Sequence, residues 1–235
     1  MEPKTQSERA YGMIRERILS GDFEPGLKLR VERLRESLDI GASPLREALS
    51  RLTSEGLVML EGQRGFRVAP ISLNALKDIS RVRKLLEGEA VRLAVEAGDE
   101  AWEAAVVSAF YRLEKAEQRL QDGEADFAEV EQRNRAFHDA IVAGAQSPWL
   151  QRMRGLVYDQ HERYRRLSKQ HMGRMRDVQR EHRAILDAVL ARDVDAAVAA
   201  SCRHIDNTVD GLVKLYAEGT PDLGRTTGKT EPAKV

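Results

Sequence analysis

The sequence predicts a mainly α-helical chain in two parts: three short helices and a β-hairpin over about the first 70 residues, then an all-α antiparallel bundle of about six helices. Three observations carry this. Apolar residues recur at helical spacing almost throughout residues 72 to 217. The one convincing pair of short strands falls between Leu57 and Ala69, with glycines at its turn. Single glycines and prolines cut the pattern into short pieces before residue 70 and long ones after it.

Tyr11, Ile14 and Ile18 mark the first helix, which ends near Leu19 or Ser20 because Ser20-Gly21-Asp22 and Pro25-Gly26 disfavour helix. A short extended piece around Lys28 to Leu29 precedes a second helix carried by Val31, Leu34 and Leu38. Asp39-Ile40-Gly41-Ala42 then turns the chain. Ser43-Pro44 reads as an N-cap followed by proline at the first helical position, opening a third helix that Gly56 stops. Its apolar face is Leu45, Ala48, Leu49 and Leu52, which leaves Arg46, Glu47, Ser50 and Arg51 outside. Leu57 to Glu61 and Phe66 to Ala69 are the strands, and Gly62-Gln63-Arg64-Gly65 is the tip between them. This is the order of a winged helix-turn-helix.

Breaks at Gly98, Gly123, Gly144 to Pro148, Gly173 and Asp193 divide the remainder into helices over 73–97, 100–121, 125–143, 148–169, 175–191 and 194–217. Short loops make them antiparallel neighbours. The expected organisation is the winged helix-turn-helix over 1–70, the helical bundle over 71–218, and a disordered tail over 219–235, where Gly, Thr, Pro and Lys leave little to bury.

Lys plus Arg (38) balances Asp plus Glu (38), so no bulk charge announces nucleic acid or an acidic partner, and a DNA-binding surface must be local. A single cysteine, Cys202, excludes an internal disulfide framework and fits a reducing cytoplasm. There is no signal-like apolar run at the N-terminus and no uncharged stretch near the ~20 residues that span a bilayer, so no membrane partner is expected.

The third helix and the hairpin tip supply the local charge. Arg46 sits one turn into the helix, where a guanidinium can pair with a guanine or clamp a phosphate. Ser43 can donate to a phosphate at the same helix start, and Arg51 adds charge further along. The tip Gln63-Arg64-Gly65 is narrow enough to enter a minor groove. The run from Gly41 to Leu52, followed by Glu55-Gly56-Leu57-Val58 and the Gly65-Phe66-Arg67-Val68 wing, resembles the signature of the GntR family of bacterial regulators over nearly all of residues 8 to 70. The family often has arginine before the Ser/Thr-Pro step. Here Ala42 stands there, so the contact usually made from that position is missing and the operator sequence should differ accordingly.

Of five histidines, His161 and His171 lie in a charged stretch and read as surface residues. His138, His182 and His204 sit beside apolar neighbours and read as inward. Asn134 and His138, four apart, share one helix face. Three imidazoles and a carboxamide from three helices can converge as a transition-metal site with open positions. A lone buried histidine, however, is more often a hydrogen-bonded core residue, and spacing alone leaves both readings standing. Asn134-Arg135-Ala136-Phe137-His138, Glu181-His182-Arg183-Ala184-Ile185 and His204, with Val82 to Glu87 as an opening helix, resemble the C-terminal (FCD) ligand domain of the FadR-type branch of that family. The resemblance implies a divalent metal on Asn134, His138, His182 and His204, with asparagine in place of the more frequent aspartate. Zinc suits imidazole best, with nickel or manganese behind it. It also implies a small organic acid as effector, for which an inward arginine beside the metal would give a second anchor. Arg83 is the candidate and Arg81 the reserve; an Arg83 paired with Glu87 is the alternative.

The expected protein is thus a ligand-responsive regulator, a homodimer on palindromic double-stranded operator DNA, released by its effector. A metal-sensing regulator is the nearest alternative. A metal-dependent hydrolase is remote: there is no HExxH, nucleophile elbow or phosphate-binding glycine loop, and Glu181 points about 100° away from its neighbour His182.

Overall fold

A computed structural model describes residues 5–62, 65–167 and 178–217. Thr5 caps the first helix, α1 (Gln6–Ser20). Its hydroxyl accepts from the Glu8 amide while the Glu8 carboxylate accepts from the Thr5 amide, which satisfies two amides that a helix start leaves over. Ala10, Ile14 and Ile18 form its buried stripe. Gly21, at φ 89°, makes the left-handed turn that ends it. A side chain there would be strained by the backbone and by Leu167, whose Cδ2 lies 2.8 Å from the Cβ position.

β1 (Lys28–Leu29) leads into α2 (Val31–Leu38), and α3 (Ala42–Ser54) follows after the left-handed Asp39. β2 (Val58–Leu60) and β3 (Phe66–Val68) complete the N-terminal part. β3 lies between the other two strands, antiparallel to both, with Leu29 opposite Phe66 and Val58 opposite Val68. The expected hairpin is therefore a three-stranded sheet, because the extended piece at 28–29 pairs with the second edge of β3. The expected cap at Ser43 is corrected as well: Gly41 is the N-cap of α3, and Ser43 and Pro44 lie within its first turn. Proline is accepted there because first-turn amides have no acceptor inside the helix. Leu45, Ala48, Leu49 and Leu52 are buried and join Ile14, Ile18, Leu34, Leu57 and Val68 in one core.

Six longer helices follow: α4 (Leu73–Ala97), α5 (Glu100–Gln121), α6 (Phe127–Val142), α7 (Pro148–Leu167), α8 (Val178–Leu190) and α9 (Val194–Ala217), with a 3-10 turn at Ala143–Ala145 after α6. Ser72, Asp99 and Asp126 cap α4, α5 and α6 by accepting from the amides of Ala75, Trp102 and Glu129. With Asp126 as cap, α6 starts two residues later than the expected 125–143. α4 packs against α7 and α9, α5 against α6 and α8. Their shared core includes Val91, Trp102, Val106, Phe110, Phe137, Ile141, Ile185 and Val189. The expected helix ends at 169 and 175, and the expected tail at 219–235, fall outside the described residues, as does His171. No helix among the described residues is long and apolar enough to cross a membrane.

α7 departs from the amphipathic pattern. It is among the most charged helices in sequence, yet Arg154, Asp159, His161, Glu162, Arg163 and Arg165 are all buried, because α4, α6 and α1 surround it and bring opposite charges. The surface reading of His161 is corrected accordingly: it is 0% exposed, and Arg83 Nη1 donates to its Nδ1 at 2.8 Å. α7 also fastens the two parts together. Gln160 Nε2 donates to the Glu55 carbonyl at 2.8 Å, Arg163 donates to the Ala69 carbonyl, and the Tyr164 hydroxyl exchanges hydrogen bonds with the Ser72 backbone.

Candidate metal centre and DNA-binding face

Three histidines from three helices meet inside the bundle. His138 comes from α6, His182 from α8 and His204 from α9, and one donor nitrogen of each lies within 4.8 Å of the others. Ring centroids are 5.5 Å apart for His138 and His182, 5.1 Å for His138 and His204, and 4.7 Å for His182 and His204. Phe137 sets the rotation of α6 by packing edge-on against Phe110 at 5.5 Å and His182 at 5.6 Å.

Two carboxylates orient the rings. His182 Nδ1 faces Glu117 Oε1 at 3.2 Å, and His204 Nδ1 faces Glu181 Oε2 at 2.9 Å. A carboxylate at Nδ1 holds the proton there and leaves Nε2 as the lone-pair end. Nε2 of His138 and of His182 is buried without a hydrogen-bond partner among the described residues. Buried nitrogens are costly to leave alone, and a cation is a partner that a neutral imidazole can take. Burial pushes the His138 pKa well below 6.5, reinforced by His204, His182, Arg83 and Arg154. Its ring is therefore neutral, which is the ligating form. These residues fit a divalent metal. In Glu117→Gln the His182 tautomer loses its anchor, and zinc affinity is expected to fall by roughly 10- to 100-fold, read by competition with a chelating dye.

Asn134 lies one turn before His138 and is also buried. Its Nδ2 donates to the Tyr158 hydroxyl at 3.1 Å, so the carboxamide oxygen is the end left for a cation. Asn134, His182 and His204 line a cavity of about 390 Å³. Leu120, Phe127, Val130 and Val178 give it apolar walls, while Glu117, Glu131, Arg165 and Thr208 give it polar ones.

Sequence reasoning missed the arginine at this wall. Arg165 is buried there and donates to Glu131 Oε2 at 2.7 Å from Nη2 and 3.3 Å from Nε. Replacing it with leucine strands the Glu131 carboxylate. A destabilisation of about 3–5 kcal/mol is expected, visible as a melting temperature lower by on the order of 10 °C. The one signal available in the sequence was the i, i+4, i+11 spacing of Arg154, Tyr158 and Arg165 along one face of α7.

Arg83 is fully buried, with its guanidinium 4.5 Å from the Tyr158 ring centre. Glu87 is 4.0 Å from its Nε but gives its close contacts, at 2.9 and 3.2 Å, to Arg154 instead. Arg83 Nε and Nη2 have no hydrogen-bond partner among the described residues, and burial pushes its pKa down to about 10. The reserve candidate Arg81 is corrected: it lies on the outer face of α4, its side chain 78% exposed and 3.8 Å from Asp78, and does not reach the cluster. The helical period puts position 83 inward and position 81 outward.

At the other end, Ser43, Arg46 and Arg51 are exposed along α3. No carboxylate among the described residues pairs with Arg46. Arg51 lies 3.7 Å from the Tyr11 ring centre, and its Nε is 3.3 Å from Glu55 Oε1. Arg67 is held within the wing by Glu61 at 2.7 Å, so it braces the strands. Gly65, at φ 88°, closes the tip by accepting from the Glu61 amide at 2.8 Å, and Gln63 and Arg64 fall outside the described residues.

Comparison with known proteins fits both ends. Residues 6–68 match the bacterial regulatory proteins of the gntR family, and residues 78–207 match the FCD domain. The chain is 38% identical over 203 residues to the uncharacterised HTH-type transcriptional regulator BphR of Paraburkholderia xenovorans, covering 86% of this chain and 83% of that one. It is 37% identical over 199 residues to the HTH-type transcriptional repressor GlaR of Escherichia coli, covering 83% and 90%. Its fold resembles that of E. coli McbR/YncC, with a TM-score of 0.78 at 22% identity over 91% of this chain and all of that one.

Proposed function

Given that this chain belongs to the GntR family and is a DNA-binding transcription regulator with a C-terminal FCD domain, we propose that it is a repressor that leaves its operator when a small organic acid binds beside a divalent metal. The observation that carries this is the buried histidine cluster, in which Nε2 of His138 and of His182 has no hydrogen-bond partner among the described residues, beside a cavity of about 390 Å³. Asn134, His138, His182 and His204 would hold the metal, zinc first and nickel or manganese behind it. The metal supplies an electrophilic centre for a carboxylate, and the two unpartnered donors of Arg83 supply a second anchor for it. Buried positive charge lacking a close carboxylate of its own favours an anionic guest.

DNA contact falls to Ser43, Arg46 and Arg51 on α3 and to Gln63, Arg64 and Gly65 at the wing, with residues 1–70 as the DNA-binding domain and 71–218 as the effector domain. Action as a cytoplasmic homodimer follows from reading two half-sites. It is supported by the outer faces of α4 and α7, which pack side by side and leave Val82, Leu85, Trp149 and Met153 exposed. Repression is supported by the likeness to GlaR, a repressor.

The test is a gel shift on DNA from upstream of the chain's own gene, with zinc, with EDTA, and with zinc plus a panel of small carboxylic acids. Release by an acid only when zinc is present is expected. Release by zinc alone would favour metal sensing, and a complex indifferent to all three would remove the proposal.

A further inference from the structure

We propose that Arg135 is a positioning residue through which occupancy of the histidine cluster sets where α1, and with it α3, sits against the bundle; this rests on the reading of that cluster as the ligand site. α6 presents Asn134 and His138 to the cluster, and Arg135 leaves the same turn about 100° around the helix. Its Nη1 donates to Asp159 Oδ1 at 2.5 Å and to Glu162 Oε2 at 3.0 Å, both on α7. Each carboxylate then reaches α1. Asp159 Oδ1 is 2.6 Å from Arg15 Nη2. Glu162 Oε1 takes Arg166 Nε at 2.7 Å, and Arg166 Nη1 reaches Glu16 Oε1 at 2.7 Å.

One guanidinium thus commands two arms that end on consecutive residues of α1. Arg135 is also tied to the cluster: it lies 5.0 Å from the centre of the Tyr158 ring, whose hydroxyl accepts from Asn134. Beyond α1 the path is short. The Tyr11 hydroxyl donates to Glu55 Oε2 at 2.8 Å, Arg51 of α3 stacks on the Tyr11 ring, and α1 packs along α3. Because ion pairs at these distances are directional and specific to their partners, a small rotation of α6 has to be followed by α1 or break both arms.

The experiment follows hydrogen exchange of the α1 amides in the full chain, with zinc and with EDTA, in wild type, in Arg135→Gln and in the double variant Arg15→Ala, Glu16→Ala. Zinc is expected to change α1 exchange in wild type by roughly threefold or more. Both variants are expected to bind zinc within about threefold of wild type, as they keep all four ligands, and to lose the α1 response. The double variant cuts both arms at their α1 ends with α6 untouched, so it stands even if Arg135→Gln fails to fold. A zinc-dependent α1 response persisting in the Arg15→Ala, Glu16→Ala double variant or in a folded Arg135→Gln overturns the proposal, and so does a wild type that binds zinc without any change in α1. A wild type that binds no zinc removes the metal reading itself, and the proposal with it.

Discussion

Replacing Arg46 with alanine is expected to lower operator affinity by on the order of 10²- to 10⁴-fold, because a bidentate arginine contact contributes about 1–3 kcal/mol and the proposed homodimer would make it twice. Arg46 is exposed at the start of α3, while the opposite face, Leu45, Ala48, Leu49 and Leu52, is locked into the core. The substitution therefore removes a contact without disturbing the fold. Arg51→Ala is expected to cost less, since that guanidinium already lies over Tyr11 and beside Glu55. Fluorescence anisotropy on a fragment from upstream of the chain's own gene and on an unrelated duplex separates two roles. A base contact lowers the first affinity more than the second; a phosphate clamp lowers both alike. An Arg46→Ala protein with unchanged helicity that binds as tightly as wild type would take α3 out of the interface.

The second large effect concerns His182. Its replacement by alanine is expected to weaken zinc binding by on the order of 10²-fold or more, since one of three imidazoles is gone. The rival reading, in which the three rings only fill the core, makes a different forecast. A core histidine costs the same stability with or without metal. A ligand makes stability depend on metal. At a zinc concentration a hundred times its dissociation constant, wild type should gain about 2.7 kcal/mol, or roughly 5–10 °C in melting temperature. In His182→Ala that zinc-dependent rise should vanish, whatever the baseline. Equal rises in both proteins would mean that the metal binds elsewhere.

Helix boundaries and the inward histidines were legible because both are written in local periodicity. Ile14 and Ile18, Leu45 and Leu49, and Phe137 and Ile141 recur at the spacing that one buried face demands, and they are buried. The start of α3 was misplaced because Ser-Pro fits equally well at the cap or inside the first turn, and only the backbone angle of Gly41 decides. α7 was legible as a helix, but its burial was not. Asp159, His161, Glu162 and Arg163 look solvated, since a charged residue is normally outside, and what brings them in is long-range: Arg15 on α1, Arg83 on α4 and Arg135 on α6. The same holds for Glu117, 65 positions from His182. A carboxylate so far along the chain leaves no trace in spacing.

The seam beneath α1 has a bearing on how this protein should be measured. Arg15 and Glu16 keep 21% and 57% of their side-chain surface in water, so dissolved ions reach that end of the contact. Raising ionic strength will therefore strip counterion-sensitive attraction from the joint between head and bundle as well as from the DNA phosphates. A binding slope taken on the intact protein counts more charges than the operator alone neutralises.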